Sequence, residues 1–176
     1  PLPAPRALRA ASQLAASRPQ AGIVEKNIFS AKLKTMHGQF PFKPLEKYPH
    51  LFAKEVEIWD RFVKANPLWA EEADYDVVVG EATRVPSDSP QYHKDNANYL
   101  SKWKIDVVAI KGNLRYIIEV RPYAGLAAIG EIISKATMFQ EEHPDLPEVE
   151  PVIITDLERP DMRRLCADRN IGYIVL

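Results

Sequence analysis

The chain has 176 residues, which is enough for one well-buried core and too few for two of ordinary size. Hydrophobic residues make up 46% and charged residues 27%, the balance of a globular domain in water, and no apolar run approaches the roughly 18 residues of a membrane span. The net charge is −1, and the single cysteine, Cys166, excludes an internal disulfide and thus a disulfide-based extracellular fold.

Basic residues are concentrated at the N-terminal side of the chain. Through Lys47 there are eight basic and two acidic residues, a net charge of +6, whereas the remainder carries −7. With its many prolines, this stretch predicts a basic, extended arm over residues 1–49, ahead of a folded domain over residues 50–176. A basic arm on an acidic body favours an anionic partner, with DNA as the first candidate. A solubilising tail, or a clasp on an acidic neighbouring subunit, is the alternative.

The first half of the domain predicts one helix followed by three strands. Residues 51–66 (LFAKEVEIWDRFVKAN) carry apolar side chains at helical spacing. The apolar run at 77–79 predicts a buried strand, and residues 85–100, with two prolines and many polar side chains, predict a long loop. Strands at 105–110 and 115–121 are joined by Lys-Gly-Asn, a connection typical of a hairpin.

The second half alternates helices and strands. Residues 125–144 predict a helix, 149–156 a strand, 159–170 a helix and 172–176 a final strand. The side chains expected on the buried face of the first of these helices are Leu126, Ile129, Ile133, Ala136 and Met138–Phe139. The order α-β-β-β-α-β-α-β predicts a three-layer α/β fold with a mixed sheet, in which the first strands are antiparallel and the last two parallel.

Two acidic residues lie inside apolar strands, Asp106 in IDVVAI and Glu119 in IIEV. A buried carboxylate is costly unless a partner compensates its charge. Paired strands can bring both carboxylates to one side of the sheet, where they would share a hard cation such as Mg²⁺. Such a cation polarises a phosphodiester and lowers the pKa of a bound water. The alternative is a structural network in which the two acids pair with Arg121, Arg115 or Lys104.

Asp106, the hairpin and Glu119-Val120-Arg121 resemble the Asp…(Asp/Glu)-x-Lys signature of the PD-(D/E)XK nucleases. The resemblance extends over about residues 51–176, and the helix GLAAIGEIISKATMF is similar to the one that follows the signature in the RecB-like and Holliday-resolvase-like branch. It implies a restriction-endonuclease-like core, with Asp106 and Glu119 as ligands of Mg²⁺ or Mn²⁺.

The resemblance also implies roles for further charged residues. The additional acid would be Glu55 or Glu57 on the first helix, with Glu81 from the first strand as a second candidate. Arg121 stands where the family has a lysine, and the pKa of a guanidinium is too high to help deprotonate water. In some members the lysine comes from the following helix, which here points to Lys135, four residues after Glu131; Lys104 is a poorer candidate. A solvated helix pair of Glu131 and Lys135 is the alternative.

Two functions follow as expectations. The first is a metal-dependent DNA nuclease. The second is a catalytically degenerate binding or assembly module with the nuclease fold, as in bacteriophage particle-completion or connector components, with the arm on a protein partner or neighbouring subunit. These functions place the protein in the cytoplasm or in a phage particle, without a membrane partner, and self-association into a homo-oligomer stays open.

Overall fold

The computed structural model describes residues 38–147 and 149–176, apart from the side chains of residues 98 and 99. The elements, in chain order, are β1 (Phe40–Pro41), α1 (Ala53–Ala65), β2 (Glu72–Val79), α2 (Gln91–Leu100), β3 (Trp103–Lys111), β4 (Leu114–Arg121), α3 (Leu126–Glu142), β5 (Glu150–Thr155), α4 (Pro160–Ala167) and β6 (Gly172–Val175). Most of the predicted arm, up to residue 37, lies outside the described residues. Within them, no helix is long and apolar enough to cross a membrane.

The six strands form one mixed sheet in the order β1-β2-β3-β4-β5-β6. The pairs from β1 to β4 are antiparallel, whereas β5 and β6 continue the sheet in parallel. Helix α1 covers one face with a core that includes Ile58, Trp59 and Phe62. Helices α3 and α4 cover the other face, where Ile132 and Met162 are fully buried. The predicted three-layer α/β fold with a mixed sheet is therefore confirmed.

One prediction about local structure was wrong, and the last part of the predicted arm packs on the domain. Residues 85–100 are not a continuous loop, because α2 occupies their second half. Residues 40–48, assigned to the arm, contribute β1 and two core side chains, Phe42 and Tyr48. Phe42 packs edge-on against Trp59, with ring centroids 5.7 Å apart. The packed domain thus includes residues before position 50, since aromatic side chains in a proline-rich stretch can still fill a core.

The buried face of α3 differs from the predicted one. Leu126 and Ile133 are 68% and 39% exposed, whereas Ile129, Ala136 and Phe139 are buried as predicted. Ile132, which was not among the expected residues, is also buried, and so is Lys135. The helix therefore presents a cation to the centre of the sheet, an orientation that only a buried partner for that charge can compensate.

Gly80 directly follows β2 and lies next to Met138 of α3, in a backbone conformation that favours glycine. Its φ is +84°, and a Cβ there would lie 2.7 Å from Sδ of Met138. We expect Gly80→Ala to lower the free energy of unfolding by more than about 1 kcal/mol, because alanine is strained at positive φ. Gly130 on α3 is a matched control, since a Cβ there meets nothing within 4 Å. Gly130→Ala should stabilise by about 0.5–1 kcal/mol in the same urea unfolding experiment.

Candidate active site

Asp106 and Glu119 lie where β3 and β4 stop pairing, a point we call the strand fork. The paired residues run from Lys111 with Leu114 to Val107 with Ile118, and the next two positions are Asp106 and Glu119. Beyond that point the Asp106 side chain bonds to the neighbouring strand, because its Oδ2 accepts the backbone N–H of Val120 at 2.9 Å. The register therefore sets the two carboxylates side by side, as the hairpin prediction required.

Next to the strand fork, β2 and β3 change which of their side chains point towards α1 and which towards α3. Asp76 and Asp106 lie between two regular pairs, and the backbone of Asp76 is in the left-handed region at φ 55°. On one side of this position, Tyr75 and Val107 pack in the core beneath α1. On the other side, Val77 and Ile105 pack in the core beneath α3. Asp106 therefore lies where side chains from both helical layers approach the sheet.

Asp106 is largely covered. Burial raises the pKa of its carboxyl group above the ordinary value, and the negative charge of Glu55 acts in the same direction. The Val120 N–H and the positive charge of Lys135 oppose the shift without cancelling it. Ionised Asp106 is thus held in the fold at a cost in free energy, which is a feature of many functional sites.

Glu119 is fully buried, and both of its oxygens are bound. Oε1 accepts a hydrogen bond from Nε of Arg121 at 2.7 Å and lies 2.5 Å from its Nη2, and Oε2 accepts one from Nζ of Lys135 at 2.5 Å. Burial and the charge of Asp106 raise the pKa of Glu119, whereas Lys135 and Arg121 lower it. The two cations compensate only part of the cost of burying these acids.

Arg121 and Lys135 connect the sheet to α3. Arg121 also binds Glu131, with Nη2 and Oε2 2.6 Å apart, and its side chain stays 37% exposed. Glu131 and Lys135 do not form the solvated helix pair that was the alternative. Glu131 binds Arg121 and Lys135 binds Glu119, both on β4. Arg121 thus acts as an ion-pair bridge at the edge of the site, and Lys135 is the lysine that reaches its centre.

The three supporting acids named from the sequence fall in different places. Glu55 is buried in the first turn of α1, where its Oε2 accepts the Phe52 N–H at 2.9 Å and its charge acts on Asp106. Glu57 is exposed and pairs with Lys54. Glu81 lies in exposed coil beyond β2, and no hydrogen bond or ion pair of the described residues joins it to the acids at the fork. The structure therefore brings Glu55, and not Glu81, into the site.

We call these residues the central charged cluster: Glu55, Asp106, Glu119, Arg121, Glu131 and Lys135. Four carboxylates against two cations leave a charge of −2 when all are ionised. Across residues 38–147 and 149–176, no group of three or more His, Cys, Asp or Glu side chains could hold a metal ion. Mg²⁺, however, is commonly bound by one or two carboxylates together with waters and substrate phosphates. Asp106 and Glu119 provide two neighbouring carboxylates, and both oxygens of Glu119 are already bound by Arg121 and Lys135.

Fold and cluster together define a three-layer α/β protein with a buried acid-and-lysine centre. It is similar to a repair endonuclease from Pyrococcus abyssi, at 12% sequence identity and a TM-score of 0.40. It is also similar to EndoMS in a complex with double-stranded DNA, at 14% identity and a TM-score of 0.39. Each comparison covers 75% of this chain but 49% or 48% of the other, so the chain spans about half their length. No family model and no curated protein matches the sequence.

Proposed function

We propose that this chain is a metal-dependent DNA nuclease of the PD-(D/E)XK type, in which Lys135 replaces the lysine that is absent at position 121. The observation that carries the proposal is the ion pair of Lys135 with Glu119, at 2.5 Å and beside Asp106. A buried ion pair is commonly no more stabilising than well-packed apolar side chains of similar volume. Retaining two acids and a lysine in the core is therefore better explained by chemistry than by stability.

Each residue of the cluster has a defined part in this proposal. Asp106 and Glu119 would hold Mg²⁺ or Mn²⁺, which when bound supplies Lewis-acid activation of water and phosphate. Lys135, at hydrogen-bond distance from Glu119, orients a water beside the carboxylates and places positive charge where the phosphate gains negative charge. Arg121 is ionised at every physiological pH and can only bind or neutralise. Glu55 adds negative charge behind Asp106.

DNA is proposed as the substrate because of charge. The domain is acidic overall, and the excess of basic residues through Lys47 supplies the positive charge that a polyanionic backbone attracts. A small neutral substrate would not be attracted by this excess of positive charge.

The deciding experiment measures cleavage of supercoiled plasmid and single-stranded DNA in Mg²⁺ and in Mn²⁺. We expect Asp106→Asn to reduce cleavage by at least about 10²-fold, the loss typical of an electrostatic group at a reacting centre. Glu81→Gln is the matched control, because this acid is exposed and outside the cluster, and it should cut like wild type. A folded wild type that cuts in neither metal, or an Asp106→Asn variant of unchanged activity, contradicts the proposal.

A catalytically degenerate binding module is the second candidate, and one observation favours it. Both oxygens of Glu119 are already bound by Arg121 and Lys135, as in a purely structural network. Under this proposal the protein would bind DNA or a neighbouring subunit, for example as a component of a phage particle. Absence of cutting by a folded wild type that still binds DNA, or that self-associates in light scattering, would select this candidate.

A further inference from the structure

A second group of charged side chains, here called the outer cluster, consists of His50, Asp76 and Lys104. One carboxylate oxygen, Oδ2 of Asp76, binds both Nε2 of His50 at 3.0 Å and Nζ of Lys104 at 3.1 Å. The Asp76 side chain is 15% exposed, that of Lys104 29% and that of His50 56%. A covered carboxylate thus holds two nitrogen-bearing side chains that lie further out, towards solvent.

The outer cluster is attached to the same elements as the central one. Asp76 and Asp106 lie between the Tyr75–Val107 and Val77–Ile105 pairs of β2 with β3, and Lys104 precedes Asp106 by two residues. His50 lies just before α1, whose first turn carries Glu55. Every member of the outer cluster is therefore tied, by strand register or by chain connection, to an acid of the proposed active site.

The backbone at two of these residues is in a conformation that side chains disfavour. Among the described residues, three that are not glycine have a positive φ: His50 at 56°, Asp76 at 55° and Asn170 at 55°. Two of the three bond directly to each other, as His50 does with Asp76. Left-handed residues other than glycine cost conformational free energy and persist where surrounding contacts fix them. The His50–Asp76 contact is such a constraint.

We propose that Asp76 is a positioning residue, which holds Lys104 and His50 against the phosphate backbone of the nucleic acid beside the phosphate received by Asp106 and Glu119. A lysine ammonium binds phosphate as a point charge. An imidazolium donates from both nitrogens, so that Nδ1 can bind phosphate while Nε2 is bound to Asp76. The inference rests on the proposed function for its substrate, and it adds a binding subsite that the sequence did not indicate.

Equilibrium binding without any divalent metal tests this subsite separately from cleavage. The probe is a short fluorescein-labelled DNA duplex and its single strand, followed by fluorescence anisotropy over a range of NaCl concentrations in EDTA. We expect Lys104→Gln to weaken binding on the order of fivefold and to reduce the salt slope by about one, as for the loss of one phosphate contact. Lys111→Gln is the control and should do neither, because Lys111 is the last residue of β3, away from the outer cluster, and bonds to the Leu68 carbonyl.

Asp76→Asn gives the sharper test. Asparagine tolerates the left-handed region and keeps an acceptor, but it removes a negative charge. Charge alone would make this variant bind DNA more tightly, whereas loss of positioning makes it bind more weakly, and we expect weaker binding. His50→Gly guards against misfolding, because glycine suits the positive φ at this position. It should keep the thermal stability of wild type and still lose affinity.

The outcomes separate this inference from the proposed nuclease activity. Weaker binding by Asp76→Asn and Lys104→Gln supports the subsite even if the wild type cuts no DNA. Tighter binding by Asp76→Asn overturns the subsite, and so does a Lys104→Gln variant that matches Lys111→Gln, even if cleavage by wild type is robust. A folded wild type that binds neither DNA probe overturns it as well.

Discussion

Lys135→Met should lower the free energy of unfolding by about 3–5 kcal/mol near neutral pH, the cost of removing one member of a buried ion pair. Methionine fills a similar volume, so the loss is electrostatic. Glu119 would keep only Arg121, and Asp106 would lose the nearby positive charge that lowers its pKa. The matched control is Lys64→Met, because Lys64 pairs with Asp60 on the surface of α1. Its loss should stay below about 1 kcal/mol.

The pH dependence of this effect follows from the shifts in pKa. Lys135 lowers the pKa of both Asp106 and Glu119, so its removal raises both further above the unfolded values. An acid whose pKa is raised by folding destabilises the fold when ionised and ceases to do so once it is protonated. The destabilisation by Lys135→Met should therefore shrink as the pH is lowered from neutrality towards the carboxyl range. Urea unfolding at several pH values measures this, and a loss independent of pH would contradict it.

A second variant at position 135 distinguishes a role of the lysine in stability from a role in catalysis. Lys135→Arg keeps a cation next to Glu119 but replaces a compact ammonium by a planar guanidinium of higher pKa. We expect this variant to retain most of the stability and to lose at least about 10²-fold in DNA cleavage, the scale of a lost proton-transfer or orienting group. Full activity of a folded Lys135→Arg would show that Lys135 is only an ion-pair partner.

The sequence predicted the acids of the site for a general reason. A carboxylate inside an apolar strand is rare unless it has a partner, and a short hairpin fixes which residues face each other. Asp106 and Glu119 satisfied both conditions. The candidate lysine, Lys135, was predicted through the family resemblance. Whether it faces the two acids depends on the rotation of α3 about its axis, which only the structure shows. The apolar spacing placed Ile129, Ala136 and Phe139 correctly, but it assigned Leu126 and Ile133 to the core and gave no sign that Lys135 is buried.

The outer cluster and α2 illustrate what the sequence could not provide. Nothing in EADYDVVV indicates that Asp76 is left-handed, because the conformation depends on contacts with His50 and Lys104, distant in the chain. In α2, the prolines that predicted a loop stand before the first turn, where they are compatible with a helix. Phe42 reached the core from a segment whose composition indicated an extended arm. For Asp76 and Phe42 a tertiary contact decided the local structure, whereas for α2 the position of the prolines did.

Asp106→Asn should raise the stability of the protein near neutral pH while reducing cleavage by at least about 10²-fold. Burial and the charge of Glu55 raise the pKa of Asp106, so the ionised form is held at a cost that the neutral amide does not have. The bond with the Val120 N–H survives, since the asparagine oxygen is an acceptor in the same place. The pKa of Glu119 should also fall, because the charge of Asp106 is one of the causes that raise it.

The gain in stability from Asp106→Asn depends on pH in a defined direction. Because folding raises the pKa of Asp106, the wild type loses stability as the pH rises through the folded value, and protonation removes the penalty at lower pH. The advantage of Asp106→Asn should be largest near neutrality and vanish as the pH falls to the ordinary carboxyl range. A gain of ~1 kcal/mol corresponds to a rise in Tm of about 2–4 °C for a domain of this size. Scanning calorimetry of wild type and variant across this range measures the difference. A stable but inactive variant would mark Asp106 as a residue kept for chemistry, whereas an unstable one would assign it to the structural network.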